Sequence, residues 1–488
     1  VALNIGLAAP EFALIGTAIA VIVLDLFIAR KRWLVYVCLA GLAVAAALTL
    51  AMWGDHPQMA FNNMLAVDNY ALFFKLLFIG IASLIILAST DYVSKFKRFQ
   101  GEYYALVLLA TLGMILMAAT TDLISIYLAL ELTAISFYVL VGFLKDRKST
   151  EASLKYLLVG GVASAIMLYG LALVFGFTGS TQLSEIALFI QAMPAESITD
   201  SPGLILGIIL LVAGFGFKVA AVPFQFWVPD VYEGAPTPVT LFLSVGSKAA
   251  GFAILLRVFY GAFADPAALA EQWGIILAVL AAVGMTLGNV VAIWQTNIKR
   301  MLGYSSIAHA GYLLIGLAAV GMAQSGDTIG QSSTLFYLLA FAVTDLAAFI
   351  AVIAITNKVG SDDISAFSGM GKQAPVLALV LTLALLSLVG FPPTAGFLAK
   401  FYIFSAGVNN GLTWLVVVAL LNTVISAYFY LRVVKVMWLG EPTTEGAVPS
   451  SWSLRFSLAV SSLGVLVLGI FPAFALNMAD LAARMFIF

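Results

Sequence analysis

The chain has 488 residues, of which 63% are hydrophobic and only 10% charged, with a formal net charge of −1. Soluble globular proteins are about 25% charged, so a mean hydropathy of +1.08 marks an all-α polytopic membrane protein and excludes a soluble enzyme or a nucleic-acid-binding module. One cysteine, Cys38, closes no internal disulfide, and two histidines in separate regions, His56 and His309, offer no bis-His haem, metal cluster or hydrolytic constellation.

A transmembrane helix needs about 20 mostly apolar residues. Fourteen such runs occur, over 9–29, 33–53, 69–90, 103–119, 121–144, 154–178, 203–226, 237–260, 272–294, 302–322, 333–356, 374–405, 412–436 and 456–480. The first is followed by Arg30-Lys31-Arg32 and reads as a retained helix, not a cleaved leader. Asp25 near its end, and Asp480 in the last run, read as structural or interfacial. Lys75, Arg257 and Arg484 fall near helix ends, where long cationic side chains snorkel to water. The fourth and fifth runs meet at Ala118-Ala119-Thr120-Thr121, the least marked of the divisions. Glu131 lies about ten residues into the fifth run, roughly 15 Å deep by helical rise. The sixth run carries Gly160-Gly161 with Ala163, Ser164 and Ala165, a small-residue face for close helix packing.

The seventh run carries Lys218, and five residues later Pro223, which has no N–H for the Val219 carbonyl and whose ring clashes there. A break just past Lys218 is expected. Lys248 lies well inside the eighth run, after Pro236-Thr237-Pro238; His309 and Asp345 lie in the tenth and eleventh. The polar stretch Ser361-Asp362-Asp363-Ile364-Ser365 reads as a solvated connection. The twelfth run repeats the theme of the seventh: Gly390, Pro392 and Pro393 interrupt it, and Lys400 is embedded in it.

Of the 23 basic residues, 17 fall in, or at the edges of, connections after odd-numbered helices: Arg30, Lys31, Arg32, Lys95, Lys97, Arg98, Lys145, Arg147, Lys148, Lys155, Lys299, Arg300, Lys358, Lys372, Arg432, Lys435 and Arg455. Connections after even-numbered helices carry acids instead: Asp55, Asp68, Glu185, Glu196, Asp200, Asp265, Glu271 and Asp327. Positive loops stay in the cytoplasm, which places both termini outside. The broken helices are five apart and cross in opposite directions. The organisation expected is one membrane domain, 1–488, with helices one to three over 1–102, a first repeat over 103–260, an inverted second repeat over 272–436 and a last helix over 456–488. On this reading Lys218 and Lys400 occupy equivalent positions of the two repeats. Interrupted helices at matching positions of two halves mark a transport path, and charge inside a membrane is rarely kept without a function. A lysine that alternately approaches and leaves a carboxylate takes up and releases a proton. Glu131, Lys218, Lys248 and Lys400 are therefore candidates for a relay.

Several long motifs carry a family resemblance: Gly216-Phe217-Lys218, Val222-Pro223-Phe224, Trp227 through Val239, Ser247-Lys248, Gln295 through His309, and Gly390 through Phe397. In these the chain resembles the subunit N family of bacterial proton-pumping NADH:quinone oxidoreductase, respiratory complex I. The likeness spans helices four to thirteen. Relatives of the subunit L, subunit M and Mrp kind usually carry histidines after the seventh-helix break, where this chain has Pro229-Asp230-Val231-Tyr232-Glu233-Gly234. Gln225 departs from the family, many members having histidine there, and receives no proton role. The resemblance implies that Glu131 and Lys218 are the family's helix-five glutamate and helix-seven lysine. It makes Lys248 the helix-eight relay lysine and Lys400 the group facing the next subunit, and it puts Lys299 and His309 on a connecting axis.

It further implies a multi-pass subunit of the bacterial inner membrane that moves protons outward, coupled to quinone reduction. Its partners would be antiporter-like and quinone-module subunits and the lipid bilayer. FMN, iron–sulfur clusters and quinone would be held by those partners, with no redox centre, cofactor or metal on this chain. The alternatives are an Mrp-like cation/proton antiporter subunit, whose sodium site would want carboxylates where lysines stand, a ferredoxin-linked relative, and a non-pumping scaffold.

Overall fold

The computed structural model describes residues 4–54, 57–93, 99–194, 201–323, 327–442 and 451–484. Asp55, His56, Lys95, Lys97, Arg98, Glu196 and Asp200, read above as loop residues, lie outside the described residues. Among the described residues, thirteen helices are long and apolar enough to cross a membrane. They are α1 (Ala9–Phe27), α2 (Arg32–Ala51), α3 (Asn69–Val93), α4 (Gln100–Ala119), α5 (Leu123–Val141), α6 (Arg147–Thr178), α7a (Pro202–Val219), α8 (Thr237–Phe263), α9 (Ala267–Ala292), α10 (Ile298–Met322), α11 (Ile329–Val359), α13 (Thr413–Leu439) and α14 (Trp452–Ile470). The twelfth crossing escapes that count because it is split into α12a (Pro375–Val389) and α12b (Ala395–Asn409), neither long enough alone. The seventh continues past its break as α7b (Trp227–Gly234). The fourteen apolar runs of the sequence are thus all present as helices.

Local chemistry moves several ends. Asp122 separates α4 from α5 as an N-cap, its carboxylate accepting from the backbone N–H of Ile124 and Ser125. Asp146 caps α6 in the same way, so α6 starts several residues before its apolar run. The last apolar run ends early: α14 stops at Ile470, where Phe471-Pro472 interrupts it, and Ala473–Ala483 is a separate short helix. A short helix at Leu183–Ala192 lies in the connection between the sixth and seventh runs.

The two halves repeat one packing plan. α4 packs on α5 as α9 packs on α10, and α6 on α7a as α11 on α12a. The centre is α8, α10 and α11, whose apolar windows are 100%, 94% and 89% buried, against 28% for α6. A helix apolar on every side is stable only when surrounded by others, so these three form the axis, and polar groups on them lie out of reach of lipid.

The structure corrects the snorkelling assignment. Arg257 is 1% exposed and pairs with Asp68 in a fork, Nη1–Oδ2 2.8 Å and Nη2–Oδ1 3.0 Å, while Nε donates to the Ala118 carbonyl at 2.8 Å. Its guanidinium also lies 4.8 Å from the Tyr70 ring centroid. Lys75 is fully buried, 2.6 Å from the Glu11 carboxylate of α1. Both cations turn inward because a carboxylate elsewhere in the chain meets them, which no local pattern reveals. Arg484 is exposed, as snorkelling requires.

Candidate functional site

The buried lysines flank two helix ends closed by the same hydrogen bonds. At the close of α7a, the Ala221 N–H donates to the Gly216 carbonyl (2.8 Å) and Ala220 takes φ 62°. At the close of α12a, the Phe391 N–H donates to the Leu386 carbonyl (3.0 Å) and Gly390 takes φ 92°. This is the closure that ends a helix at a left-handed residue. The register pairs Pro223 with Pro393 and Lys218 with Leu388. Lys218 sits in the last turn before its break, and Lys400 sits in the second turn after its own. The expectation that the two lysines are equivalent is therefore corrected: the backbone breaks correspond, whereas the charges occupy opposite halves.

Lys218 is 4% exposed, and its Nζ has no hydrogen-bond partner among the described residues. Its stem lies against Gly251 of α8, where an added Cβ would stand 2.7 Å from Val219 Cγ1 and 3.3 Å from Lys218 Cγ, so α8 approaches this closely only with glycine. The side chain lines a small cavity with Leu130 and Ala134 of α5 and Ser164 of α6. The Ser164 hydroxyl donates a short hydrogen bond to Glu131, which is half-buried on α5. Glu131 and Lys218 make no direct ion pair; Ser164 stands at the cavity edge between them, with the two charges near enough to act on each other. Ser164, read from sequence as part of a packing face, thus also lines the Lys218 cavity and bonds Glu131. Gly160 does serve that face, leaving room for Tyr138, while Gly161 meets open space.

Lys248 belongs to a second cluster. A π-helical turn over Leu243–Ser247 precedes it in α8, the kind of local widening that recurs at functional sites. Its Nζ donates short hydrogen bonds to the carbonyl and hydroxyl of Ser306 on α10. Ser306 also lies 3.3 Å from the Ser244 hydroxyl and 3.3 Å from the Tyr232 hydroxyl. Asp345 of α11 is buried close to Ser244 and Lys248. Phe341 covers the ammonium, 5.0 Å from Nζ to ring centroid.

His309 continues the row on α10. Its Nδ1 lies 2.8 Å from the Tyr337 hydroxyl and its Nε2 3.5 Å from the Tyr430 hydroxyl, which in turn meets Ser305. Lys400 donates to the Val389 carbonyl (2.8 Å), an acceptor freed by the helix break, and lies 4.6 Å from the Tyr312 ring centroid. The Tyr312 hydroxyl accepts from Asn289 at 3.2 Å. Gly390 admits the lysine: a Cβ there would lie 3.0 Å from Lys400 Cδ, and φ 92° already favours glycine. Tyrosines 337 and 430 carried no charge or motif to mark them in the sequence.

Lys299 stands apart at a helix end. It pairs with Asp362 (3.0 Å) and donates to the Ala235 carbonyl (3.2 Å), clipping the start of α10 to the α7b–α8 link. Asp362 is therefore a fixed partner and not simply solvated. Gln225 is buried at the break, and its carbonyl oxygen has no hydrogen-bond partner among the described residues.

Residues 120–426 match the model of a family described as NADH:quinone oxidoreductase/Mrp antiporter, transmembrane. NADH-quinone oxidoreductase subunit N of Dehalococcoides mccartyi is 58% identical over 481 residues, covering 98% of this chain and 99% of that protein. A chain of respiratory complex I from Thermus thermophilus superposes with a TM-score of 0.80 at 34% identity, over 96% of this chain and 98% of that one. A chain of the Mrp complex from a Dietzia species gives 0.85 at 20% identity, over 98% and 97%, a likeness of fold alone.

Proposed function

We propose, from the premise that this chain belongs to the NADH:quinone oxidoreductase/Mrp antiporter transmembrane family, that it is the proton-translocating N subunit of a respiratory complex I. The observation that carries this reading is the row of buried ionisable groups on five helices: Lys218 on α7a, Lys248 on α8, His309 on α10, Asp345 on α11 and Lys400 on α12b. Keeping so many such groups out of water is costly and is characteristic of ion pathways. Three of them have hydroxyl neighbours through which a proton can be passed: Ser164 toward Lys218, Ser306 and Ser244 at Lys248, Tyr337 and Tyr430 at His309.

Glu131 and Asp345 act as the counter-charges of Lys218 and Lys248, and motion of either ammonium toward or away from its carboxylate sets whether it holds its proton. Lys299, clipped to Asp362, holds the connecting loop and is the least direct member of the relay. The redox chemistry belongs to partner subunits carrying FMN, iron–sulfur clusters and quinone, and this chain contributes to the enzyme as its membrane translocase. The antiporter reading is disfavoured by the 58% identity to a subunit N.

Glu131→Gln tests the assignment. Proton transfer in sealed vesicles is expected to fall roughly tenfold, the effect of about 1.4 kcal/mol on a barrier, and Glu131→Asp, which retains the charge, is expected to lose less. Parental transfer in Glu131→Gln sinks the pairing.

We also infer that both termini face the periplasm of a bacterial inner membrane, from the segregation of basic residues. A reporter joined after Arg147 is expected to read cytoplasmic and one after Met193 periplasmic. Finding both on one side refutes the orientation.

A further inference from the structure

We propose that Tyr156 gates proton access to Lys218, its hydroxyl and that of Ser247 holding the water that delivers the proton. The proposal rests on the relay reading of Lys218 and adds two residues and a route to it.

Beside the basic loop, Lys148, Glu151, Ala152 and Lys155 of α6 and Asp230 and Glu233 of α7b line a polar crevice of about 210 Å³. One turn deeper on α6, Tyr156 lines the cavity that holds Lys218. An aromatic wall separates the two. The Tyr156 ring stacks on Trp227 of α7b (centroids 4.5 Å, planes 18°) and lies against Phe217 of α7a (6.2 Å, 29°). The Trp227 indole N–H donates to the Phe217 carbonyl at 3.1 Å, pinning the wall across the helix break. All three rings are buried.

The wall also holds polar groups in need of partners. The Tyr156 hydroxyl, the Ser247 hydroxyl and Lys218 Nζ are all buried; the two hydroxyls face each other, and beyond that neither they nor the amine has a hydrogen-bond partner among the described residues. Ser247 lies one helical turn before Gly251, against which Lys218 packs, so α8 brings this hydroxyl to the Lys218 side while its neighbour Lys248 faces Ser306. Buried polar groups without protein partners are normally satisfied by ordered water. A water among these groups gives Lys218 a proton donor. It hands one proton to the neutral amine and regains one from water in the crevice, so no charge is left behind.

The gate has a handle. α7b carries Trp227, Asp230 and Glu233 and is joined to α7a only through the non-helical link 220–226. Lys155 ties Asp230 to α6 (3.0 Å), and Arg300 ties Asp230 (2.6 Å) and Glu233 (3.2 Å) to α10. Movement of α7b on this link slides Trp227 off Tyr156 and opens the wall.

The test uses the assembled complex in proteoliposomes, with transfer through this subunit taken as the difference from Lys218→Arg. Tyr156→Phe keeps the stacked wall and removes the hydroxyl. Transfer is expected to fall roughly tenfold, the scale of one lost hydrogen bond on the transfer barrier, with no passive leak. Ser247→Ala is expected to fall similarly, and Ser247→Thr, which retains a hydroxyl, to recover. Tyr156→Ala is expected to raise proton leak without turnover. If Lys218→Arg abolishes transfer while Tyr156→Phe and Ser247→Ala pump normally, the gate is wrong and the relay stands. If Lys218→Arg pumps normally, the relay reading falls and the gate falls with it.

Discussion

Lys218→Arg is expected to assemble with its partner subunits at the parental level and to lose most of the coupled proton transfer through this chain. Arginine retains the charge and much of the stem, so the electrostatic field acting on Glu131 persists. It does not deprotonate in the working range, so a group that must release a proton each cycle is locked. Among the described residues, Lys218 Nζ makes no hydrogen bond that assembly would need. Lys218→Ala should therefore also fold: it relieves the desolvation of a buried amine, and Glu131 keeps the Ser164 hydroxyl as its partner. The pair separates the roles: a purely structural charge tolerates arginine and fails with alanine, whereas a relay fails with both. Proton transfer and subunit stoichiometry, measured on the same preparations, decide between them. Near-parental pumping with Lys218→Arg removes Lys218 from the mechanism.

Arg257→Ala is expected to produce the largest loss of stability of any single change considered. It strands the Asp68 carboxylate, 7% exposed, without its fork of two hydrogen bonds, and leaves the Ala118 carbonyl without the Nε donor. Breaking a buried pair from one side costs about 3–5 kcal/mol because the remaining charge is uncompensated. The double variant Arg257→Met with Asp68→Asn removes both charges at nearly the same volume and should recover much of that loss. Thermal unfolding in mild detergent reads the difference. Equal destabilisation by the single and double variants would show that packing, not charge, dominates there.

The breaks in the seventh and twelfth crossings were legible from sequence because proline acts through its own backbone: Pro223 and Pro393 remove donors wherever the rest of the chain lies. The depth of Lys218, Lys248, His309 and Lys400 followed from the apolar runs around them, since helical rise converts position into depth. The tyrosines at His309 were not legible. Tyr337 and Tyr430 lie 28 and 121 residues away in sequence, and each sits in an apolar run where tyrosine is unremarked.

The same contrast orders the whole molecule. Crossing number, helix breaks and the burial of ionisable groups follow from local composition, because lipid imposes a single rule on every segment: apolar length with internally satisfied backbone. Which group meets which is a property of packing. Sequence placed Arg257 and Lys75 at helix ends, where water would claim them, and the tertiary structure turned them onto Asp68 and Glu11. Sequence paired Lys218 with Lys400 by symmetry and with Glu131 by depth. The fold set the two lysines on opposite sides of their breaks and placed Ser164 between the carboxylate and the amine. The physical reason is range: a helix is decided by neighbours within one turn, whereas a buried charge is satisfied by whatever oxygen the packed helices bring within about 3 Å.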